Sequence, residues 1–180
     1  MSRKKADELV YAALGGAGEI GMNCYLYGYG AGEKARWIMV DCGIGFGDME
    51  TAPGVELILP RIDHIRERAD RLEGLFLTHA HEDHLGAIIH LWGEIGVPIH
   101  ARPFTAEILR RKMDEAGMDR GLVNEVEVGD TVSAGPFSVE FLPITHSVPE
   151  ASMLAIRSPA GTVVHSGDFK LDPDPQLGDP

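Results

Sequence analysis

The sequence predicts a single domain of mixed α/β class in which strands dominate at both ends of the chain. Short apolar runs separated by glycine or proline fill the first and last thirds, a pattern typical of strands joined by tight turns. Between them, two segments at 85–95 and 105–116 carry apolar residues at helical spacing. The 180 residues, 44% of them hydrophobic, are enough to bury a sizeable core.

The N-terminal third is predicted to contain three strands, at 9–14, 23–27 and 37–40. The segment 41–48 follows them and is predicted to be a loop, because its glycine density disfavours any regular element. A short helix is predicted over 62–71.

The middle of the chain alternates strands and helices. Buried strands are predicted at 74–78 and 97–100, each followed by one of the two helical segments. The second helix, over 105–116, is expected to end at Gly117, since glycine is the usual residue just past a helix terminus.

The last third returns to strands, predicted at 131–134, 137–142, 152–158 and 162–165. After these, the residues 171–180 have the proline-rich and acidic composition of a linker. We therefore predict a domain portion over 1–170 and a linker-like tail over 171–180, and we expect the chain to be a fragment of a longer protein.

Composition and charge exclude several classes of protein. The formal net charge of −12 argues against this segment being a strong binder of nucleic-acid backbones, which requires Lys and Arg. We find neither a membrane-spanning apolar run nor a signal peptide, so a cytoplasmic protein is expected. The two cysteines, Cys24 and Cys42, are then expected to be buried thiols, with a single disulfide as the alternative.

The densest cluster of metal-binding side chains lies between the strand at 74–78 and the helix at 85–95. It contains three imidazoles and a carboxylate within six residues: His79, His81, Asp83 and His84. Two histidines two residues apart point the same way on extended backbone. These ligand types suit Zn²⁺, Mn²⁺ or Fe²⁺. A coincidental cluster of this density is improbable, and we interpret it as a metal site.

Three further candidates follow strand ends. His146, Asp168 and Asp41 each lie just past a predicted strand, so all three are expected at one edge of a sheet with the histidine cluster. The remaining histidines are interpreted as surface or core residues: His64, His90, His100 and His165.

Other motif matches fail on context. The segment 16–21 fits G-x-G-x-x-G, with Asp41 at the spacing of a ribose-binding acid, but no helix follows it. The run 81–84 is one residue shorter than the H-E-x-x-H motif of zinc proteases. A deaminase cysteine pair and a G-x-S-x-G nucleophile elbow are both missing from the sequence.

The pattern His79-x-His81-x-Asp83-His84, followed by His146 and Asp168, resembles the H-x-H-x-D-H signature of the metallo-β-lactamase superfamily. Asp41 resembles the first motif of that superfamily. A closer resemblance, to the bacterial ribonuclease J family, runs through the whole chain. It is carried by the segments 14–23, 40–43, 53–55, 78–84, 145–149 and 167–170, with Glu150-Ala151 departing from the Asp-Ser expected of that family.

This resemblance implies the N-terminal portion of a four-layer αββα sandwich with two divalent metal ions, zinc first and manganese as the alternative. It assigns His79, His81 and His146 to the first ion, Asp83 and His84 to the second, and Asp168 to a bridge between them. Asp41 would act through a ligand histidine. The β-CASP domain that grips RNA, a further ligand histidine and the second half of the sandwich would lie beyond residue 180.

The function implied is a metal-dependent ribonuclease, acting 5′→3′ and internally on RNA. A hydroxide generated by the two ions would attack phosphorus, with Asp83 orienting or deprotonating the water. RNA is then the partner of the full-length enzyme, which is expected to be a homo-oligomer. The alternatives are another hydrolase of the superfamily, such as a thioesterase or lactonase, and a non-catalytic interaction module. The isolated 180-residue chain is expected to be inactive.

Overall fold

The computed structural model describes residues 7–50 and 52–175 as two packed β-sheets with helices on one outer face. In chain order the strands are β1 (Glu8–Gly15), β2 (Cys24–Gly30), β3 (Arg36–Cys42), β4 (Gly45–Phe46), β5 (Leu57–Ile58), β6 (Leu72–Phe76), β7 (Ile99–Ala101), β8 (Val123–Glu125), β9 (Thr131–Ala134), β10 (Phe137–Pro143), β11 (Ser152–Ser158) and β12 (Gly161–His165). The α-helices are α1 (Asp63–Arg66), α2 (Glu82–Leu85), α3 (Ile88–Leu91) and α4 (Pro103–Glu115).

The first sheet has the order β1-β2-β3-β6-β7-β8. Its first three strands pair antiparallel because short turns join them. The next three pair parallel, since helical segments carry the chain back before each new strand. The ends of β3 and β6 therefore lie at the same edge of the sheet.

The second sheet is an antiparallel meander with the order β12-β11-β10-β9. Alternate residues of β10 face inward, so that Phe137, Val139 and Phe141 are buried. They pack against Ile38 and Phe76 of the first sheet and form the core between the two sheets.

The other face of the first sheet is covered by the helices. Buried Leu85, Ile88 and Trp92 from the middle segment, with Leu109 and Met113 from α4, form a second core with that face. The order of layers is therefore helix, sheet, sheet. This mixed α/β arrangement confirms the fold class predicted from the sequence and corresponds to part of a four-layer sandwich.

Two predicted helices are shorter than expected. The segment 85–95 is divided into α2, α3 and a 3₁₀ turn at Trp92–Glu94, and the segment 62–71 contains only α1 and a 3₁₀ turn at Ala69–Arg71. Gly86 lies between α2 and α3. A Cβ added to Gly86 would be 3.0 Å from Ile44, so the chain packs closely at this break. The apolar spacing thus correctly identified the buried face but not the continuity of the helix.

The predicted loop at 41–48 is partly wrong. Asp41 and Cys42 are the last residues of β3, and Gly45–Phe46 pairs with Leu57–Ile58 in a small hairpin. Neighbouring strands supply pairing partners that the glycine content does not reveal.

Two further predictions concern the cysteines and the C-terminal tail. Cys24 and Cys42 are unbridged, buried and opposite one another in the pairing of β2 with β3, as the thiol interpretation expects. The tail predicted over 171–180 lies outside the described residues from 176 onward. Within 7–50 and 52–175, no helix has the length and apolar character needed to span a bilayer.

Candidate metal centre

The histidine cluster follows β6 at the edge where β3 also ends. Thr78 and His79 continue beyond β6, and His81 is the extended residue that precedes α2. Two backbone hydrogen bonds hold the start of α2: the N–H of Ile44 donates to Glu82 O at 3.1 Å, and that of Asn23 to Asp83 O at 2.8 Å. The segment after β3 lies so close to α2 that a Cβ at Gly43 would overlap the backbone of Asp83.

Three histidines form the first donor group. His79 Nε2 lies 3.0 Å from His81 Nδ1, and His146 Nε2 lies 3.3 Å from the same atom. Nitrogens bound to one tetrahedral ion at about 2.0–2.1 Å would be roughly 3.3 Å apart. The spacing and chemistry of these donors therefore fit a divalent metal ion.

His146 is delivered by the loop between β10 and β11. That loop is held to the rest of the molecule at both ends, by hydrogen bonds from Ser152 N to Thr78 O (3.0 Å) and from Lys170 N to Thr145 O (2.8 Å). Glu150, which departs from the residue expected of ribonuclease J, accepts a hydrogen bond from Phe104 N at 2.7 Å and so caps α4.

The second donor group contains His79, His84 and Asp168, whose donor atoms lie within 4.8 Å of one another. Asp168 Oδ2 is 3.5 Å from His84 Nε2, and Asp83 Oδ2 is 3.7 Å from the same nitrogen. The family resemblance assigned Asp83 and His84 to the second ion and Asp168 to the bridge. The structure brings all three together, with Asp83 at the margin, and adds His79 as a member of both groups.

Asp41 orients His84 from beneath the site. Its carboxylate is fully buried and accepts hydrogen bonds of 2.8 Å from the backbone N–H and the hydroxyl of Thr78 and from Nδ1 of His84. With Nδ1 occupied in this way, Nε2 carries the lone pair that faces the donor group. The same Thr78 hydroxyl lies 3.0 Å from His79 Nδ1, so Asp41 fixes the tautomer of His84 directly and that of His79 through Thr78.

The electrostatics keep the Asp41 carboxylate charged and the imidazoles of His79 and His146 neutral. Burial alone would raise the pKa of Asp41, but the charge and hydrogen bond of His84 hold it below its usual value. Burial, reinforced by neighbouring His84, lowers the pKa of His79 to about 3. Burial and His81 also lower the pKa of His146. His79 and His146 are therefore neutral at pH 7, the state in which imidazole binds metal.

The remaining histidines lie outside both donor groups. His165 points between the sheets, where its Nδ1 is 3.0 Å from the Tyr27 hydroxyl, and His100 stacks on Phe76. His64 packs edge-on against Trp37 in a partly exposed position. These placements agree with the interpretation of these side chains as core or surface residues. The G-x-G-x-x-G segment leads into β2, so the strand–turn–helix unit of a dinucleotide site is not formed.

Thr78, Asn23 and Tyr25 support the site but were not among the candidates from the sequence. Asn23 Nδ2 lies 3.2 Å from Asp83 Oδ2 and 2.9 Å from His84 Nε2, and the Tyr25 hydroxyl donates to Asn23 Oδ1 at 2.8 Å. The contacts of Asn23 join residues 60 and 61 positions apart in the chain, so no local pattern could identify them. A cavity of about 560 Å³ adjoins these side chains and Asp168.

Comparison with known proteins places this geometry in a family. The model of the Metallo-beta-lactamase superfamily matches residues 17–180. Among curated proteins, Ribonuclease J from Sinorhizobium meliloti is 48% identical over 173 residues, which are 96% of this chain and 30% of that protein. Ribonuclease J from Thermus thermophilus is 38% identical over 177 residues, covering 94% of this chain and 30% of its own length. The chain thus spans less than a third of the length of these relatives.

Solved structures agree on the fold. The metallo-beta-lactamase fold protein YhfI from Bacillus subtilis has a TM-score of 0.63 at 20% identity, covering 93% of this chain and 65% of that one. MEM-A1, a subclass B3 metallo-beta-lactamase from a soil metagenome, has a TM-score of 0.53 at 21% identity, covering 80% of this chain and 55% of that one. The family model, the fold and the arrangement of donor groups lead to one conclusion: this chain belongs to the metallo-beta-lactamase superfamily.

Proposed function

We propose that this chain carries the metal-binding part of a ribonuclease J-like enzyme that hydrolyses RNA phosphodiesters. The observation that carries the proposal is the pair of donor groups that share His79, in a chain 36–48% identical to several Ribonuclease J proteins. Because the two groups meet at His79, they would place two ions close together, which is the arrangement that phosphoryl-transfer enzymes use.

The proposed roles follow from the positions of the side chains. His79, His81 and His146 would hold the first ion, and His84, Asp83 and Asp168 the second, with Asp168 as the bridge. Two divalent ions, zinc or manganese, would make a shared water acidic enough to ionise near neutral pH and would stabilise charge on the phosphoryl oxygens. The Asp83 carboxylate would accept a proton from that water, while Asp41 and Thr78 keep the imidazoles in the tautomers that bind.

RNA recognition is proposed to depend mainly on the remainder of the parent enzyme. The matched region is 30% of the Sinorhizobium meliloti relative, and a net charge of −12 gives this region little attraction for a polyanion. Exonuclease action from the 5′ end, internal cleavage, assembly into a homo-oligomer and residence in the cytoplasm belong to the same proposal for the full-length protein.

A chimera tests the proposal directly. In Sinorhizobium meliloti Ribonuclease J, the 173 matched residues would be replaced by those of this chain, which are 48% identical. We expect metal-dependent cleavage of a 5′-monophosphorylated RNA, and loss of cleavage in the same chimera with His81→Ala. A folded chimera that binds metal ions yet cleaves thioesters or lactones instead of RNA would contradict the assignment of substrate.

A further inference from the structure

Asn23 carries a buried side-chain amide and lies immediately before β2, against the start of α2. Asn23 is 7% exposed, and both its backbone N–H and its backbone carbonyl form hydrogen bonds. The Asn23 N–H donates to Asp83 O at 2.8 Å, and Asn23 O accepts from Gly43 N at 2.9 Å. The backbone thus fixes this residue against α2 independently of what the side chain does.

The side-chain amide has only one orientation that satisfies its neighbours. The Tyr25 hydroxyl donates to Asn23 Oδ1 at 2.8 Å, which directs Nδ2 toward Asp83 Oδ2 at 3.2 Å and His84 Nε2 at 2.9 Å. Burial, with Tyr11 nearby, raises the pKa of Tyr25 to about 12, so the hydroxyl remains a donor at neutral pH. The Asp83 carboxylate, which can only accept, thus fixes Nδ2 on its side, and the Tyr25 hydroxyl supports this orientation by donating to Oδ1.

The contact with His84 competes with metal binding. In neutral His84, which is the form that binds metal, Nδ1 donates to Asp41 and Nε2 holds the only lone pair of the ring. One lone pair cannot accept a hydrogen bond from Asn23 and bind an ion at the same time. Asp83 Oδ2 is the other acceptor within reach of Nδ2 and remains available when His84 is occupied.

We propose that Asn23 is a positioning residue for the second ion: its two amide N–H groups face Asp83 and His84 in the metal-free site, and the hydrogen bond to Asp83 is kept when His84 binds metal. The retained hydrogen bond would keep the Asp83 carboxylate beside the second position, where Asp83 Oδ2 lies 3.7 Å from His84 Nε2. Tyr25 would act on Asp83 only through its hydrogen bond to Asn23. The inference rests on the metal site of the proposed function.

Cobalt(II) titration of the 180-residue chain tests the assignment, because the visible spectrum of the ion reports its ligands. We expect two binding steps in the parent chain. In Asn23→Ala the second step should weaken about tenfold, the lower range for loss of a group that orients a ligand, and its spectrum should change while the first step is retained. Tyr25→Phe, which leaves Asn23 in place, should produce a smaller change of the same kind.

Tyr27→Phe is the matched control, because Tyr27 lies on the same strand but its hydroxyl contacts His165 instead of Asn23. It should titrate like the parent chain. If Asn23→Ala does not fold, Tyr25→Phe decides the question alone. Unchanged or strengthened second steps in both variants, or equal loss of both steps, would overturn the positioning role. A parent chain that binds only one cobalt ion would overturn the second position and with it the role of Asn23, and one that binds none would overturn the proposed metal site itself.

Discussion

Asp41 combines two features that are unfavourable individually. It is a fully buried carboxylate and a non-glycine residue with a φ of 58°. Left-handed backbone of this kind costs about 1–3 kcal/mol and persists where surrounding interactions require it. The three hydrogen bonds from Thr78 and His84 supply those interactions, so the strained residue is the one that fixes the ligand tautomers.

Replacing Asp41 with Asn should destabilise the metal-free chain by about 2–3 kcal/mol, since bonds to a charged acceptor are lost inside the protein. An amide offers one acceptor atom where the carboxylate offers two, so either Thr78 or His84 loses its partner. Urea unfolding in the presence of a chelator measures this difference. An unfolding free energy equal to that of the parent chain would show that Asp41 makes no net contribution.

The same comparison should depend on pH. The folded pKa of Asp41 is lowered from 3.8, so its contribution is present above that value and is lost as acid protonates it. The pKa of His84 is raised from 6.5, mainly because the attraction of Asp41 outweighs burial, so its contribution is present below 6.5 and is lost as the pH rises through the folded pKa. The stability difference between parent and Asp41→Asn should therefore be largest between about pH 4 and 6.5. A difference that grows steadily toward pH 9 would contradict the ion pair.

Asp168 should matter more for metal retention than an equivalent acid nearby. Asp168→Asn keeps the side-chain volume but removes the charge proposed to bridge the ions, whereas Asp172→Asn alters a carboxylate that pairs with Lys170. Metal content after dialysis should fall in the first variant and remain at the parent level in the second. Equal retention in the two would exclude the bridge.

At the scale of elements, the site depends on close packing between the end of β3 and α2. Gly43→Ala would place a Cβ on the backbone of Asp83, so α2 must shift, and we expect a loss of at least about 1–3 kcal/mol together with weaker metal binding. Gly93→Ala is the control, because nothing lies within 4 Å of the Cβ it would add. Thermal unfolding and metal titration of both variants test this, and a Gly43→Ala chain with parent-like values would refute the packing argument.

The sequence predicted those elements whose pattern is local. The alternation of Phe137, Val139 and Phe141 identifies β10, and the spacing of His79 and His81 identifies a metal site at the end of β6. Strand β8 was missed, because its three residues contain a single buried apolar side chain and show no alternation that a sequence pattern could identify. Asn23 was not assigned a role for the related reason that its function depends on partners distant in the chain.

At the scale of the whole molecule, the region between the two sheets beside the metal centre has large exposed apolar side chains. Tyr11 on β1 and Val164 on β12 are 53% and 60% exposed, and Tyr11, Tyr25 and Tyr27 line the cavity beside the metal centre. Exposed apolar and aromatic surface of this kind commonly marks a binding groove or an interaction surface. The donor groups described here accordingly have an open side.

We therefore expect the 180-residue chain alone to have little or no ribonuclease activity while retaining the ability to bind metal. Within the described residues the second donor group consists of His79, His84 and Asp168, with Asp83 nearby, and the net charge of −12 repels RNA. Single-turnover cleavage of a 5′-monophosphorylated RNA with added Zn²⁺ or Mn²⁺ measures this, with His81→Ala as the control for contaminating nucleases. Cleavage that disappears in His81→Ala would show that this segment is sufficient for catalysis.

The donors of each group come from both sheets: His79, His81 and His84 follow β6, whereas His146 follows β10 and Asp168 follows β12. An ion held by such donors is a cross-link between the two halves of the sandwich, in addition to any chemical role. Metal binding should then slow amide hydrogen exchange throughout β10, β11 and β12, including residues that touch no ligand. The metal centre would thus stabilise the packing of one sheet on the other, and removal of metal would destabilise β10, β11 and β12 together.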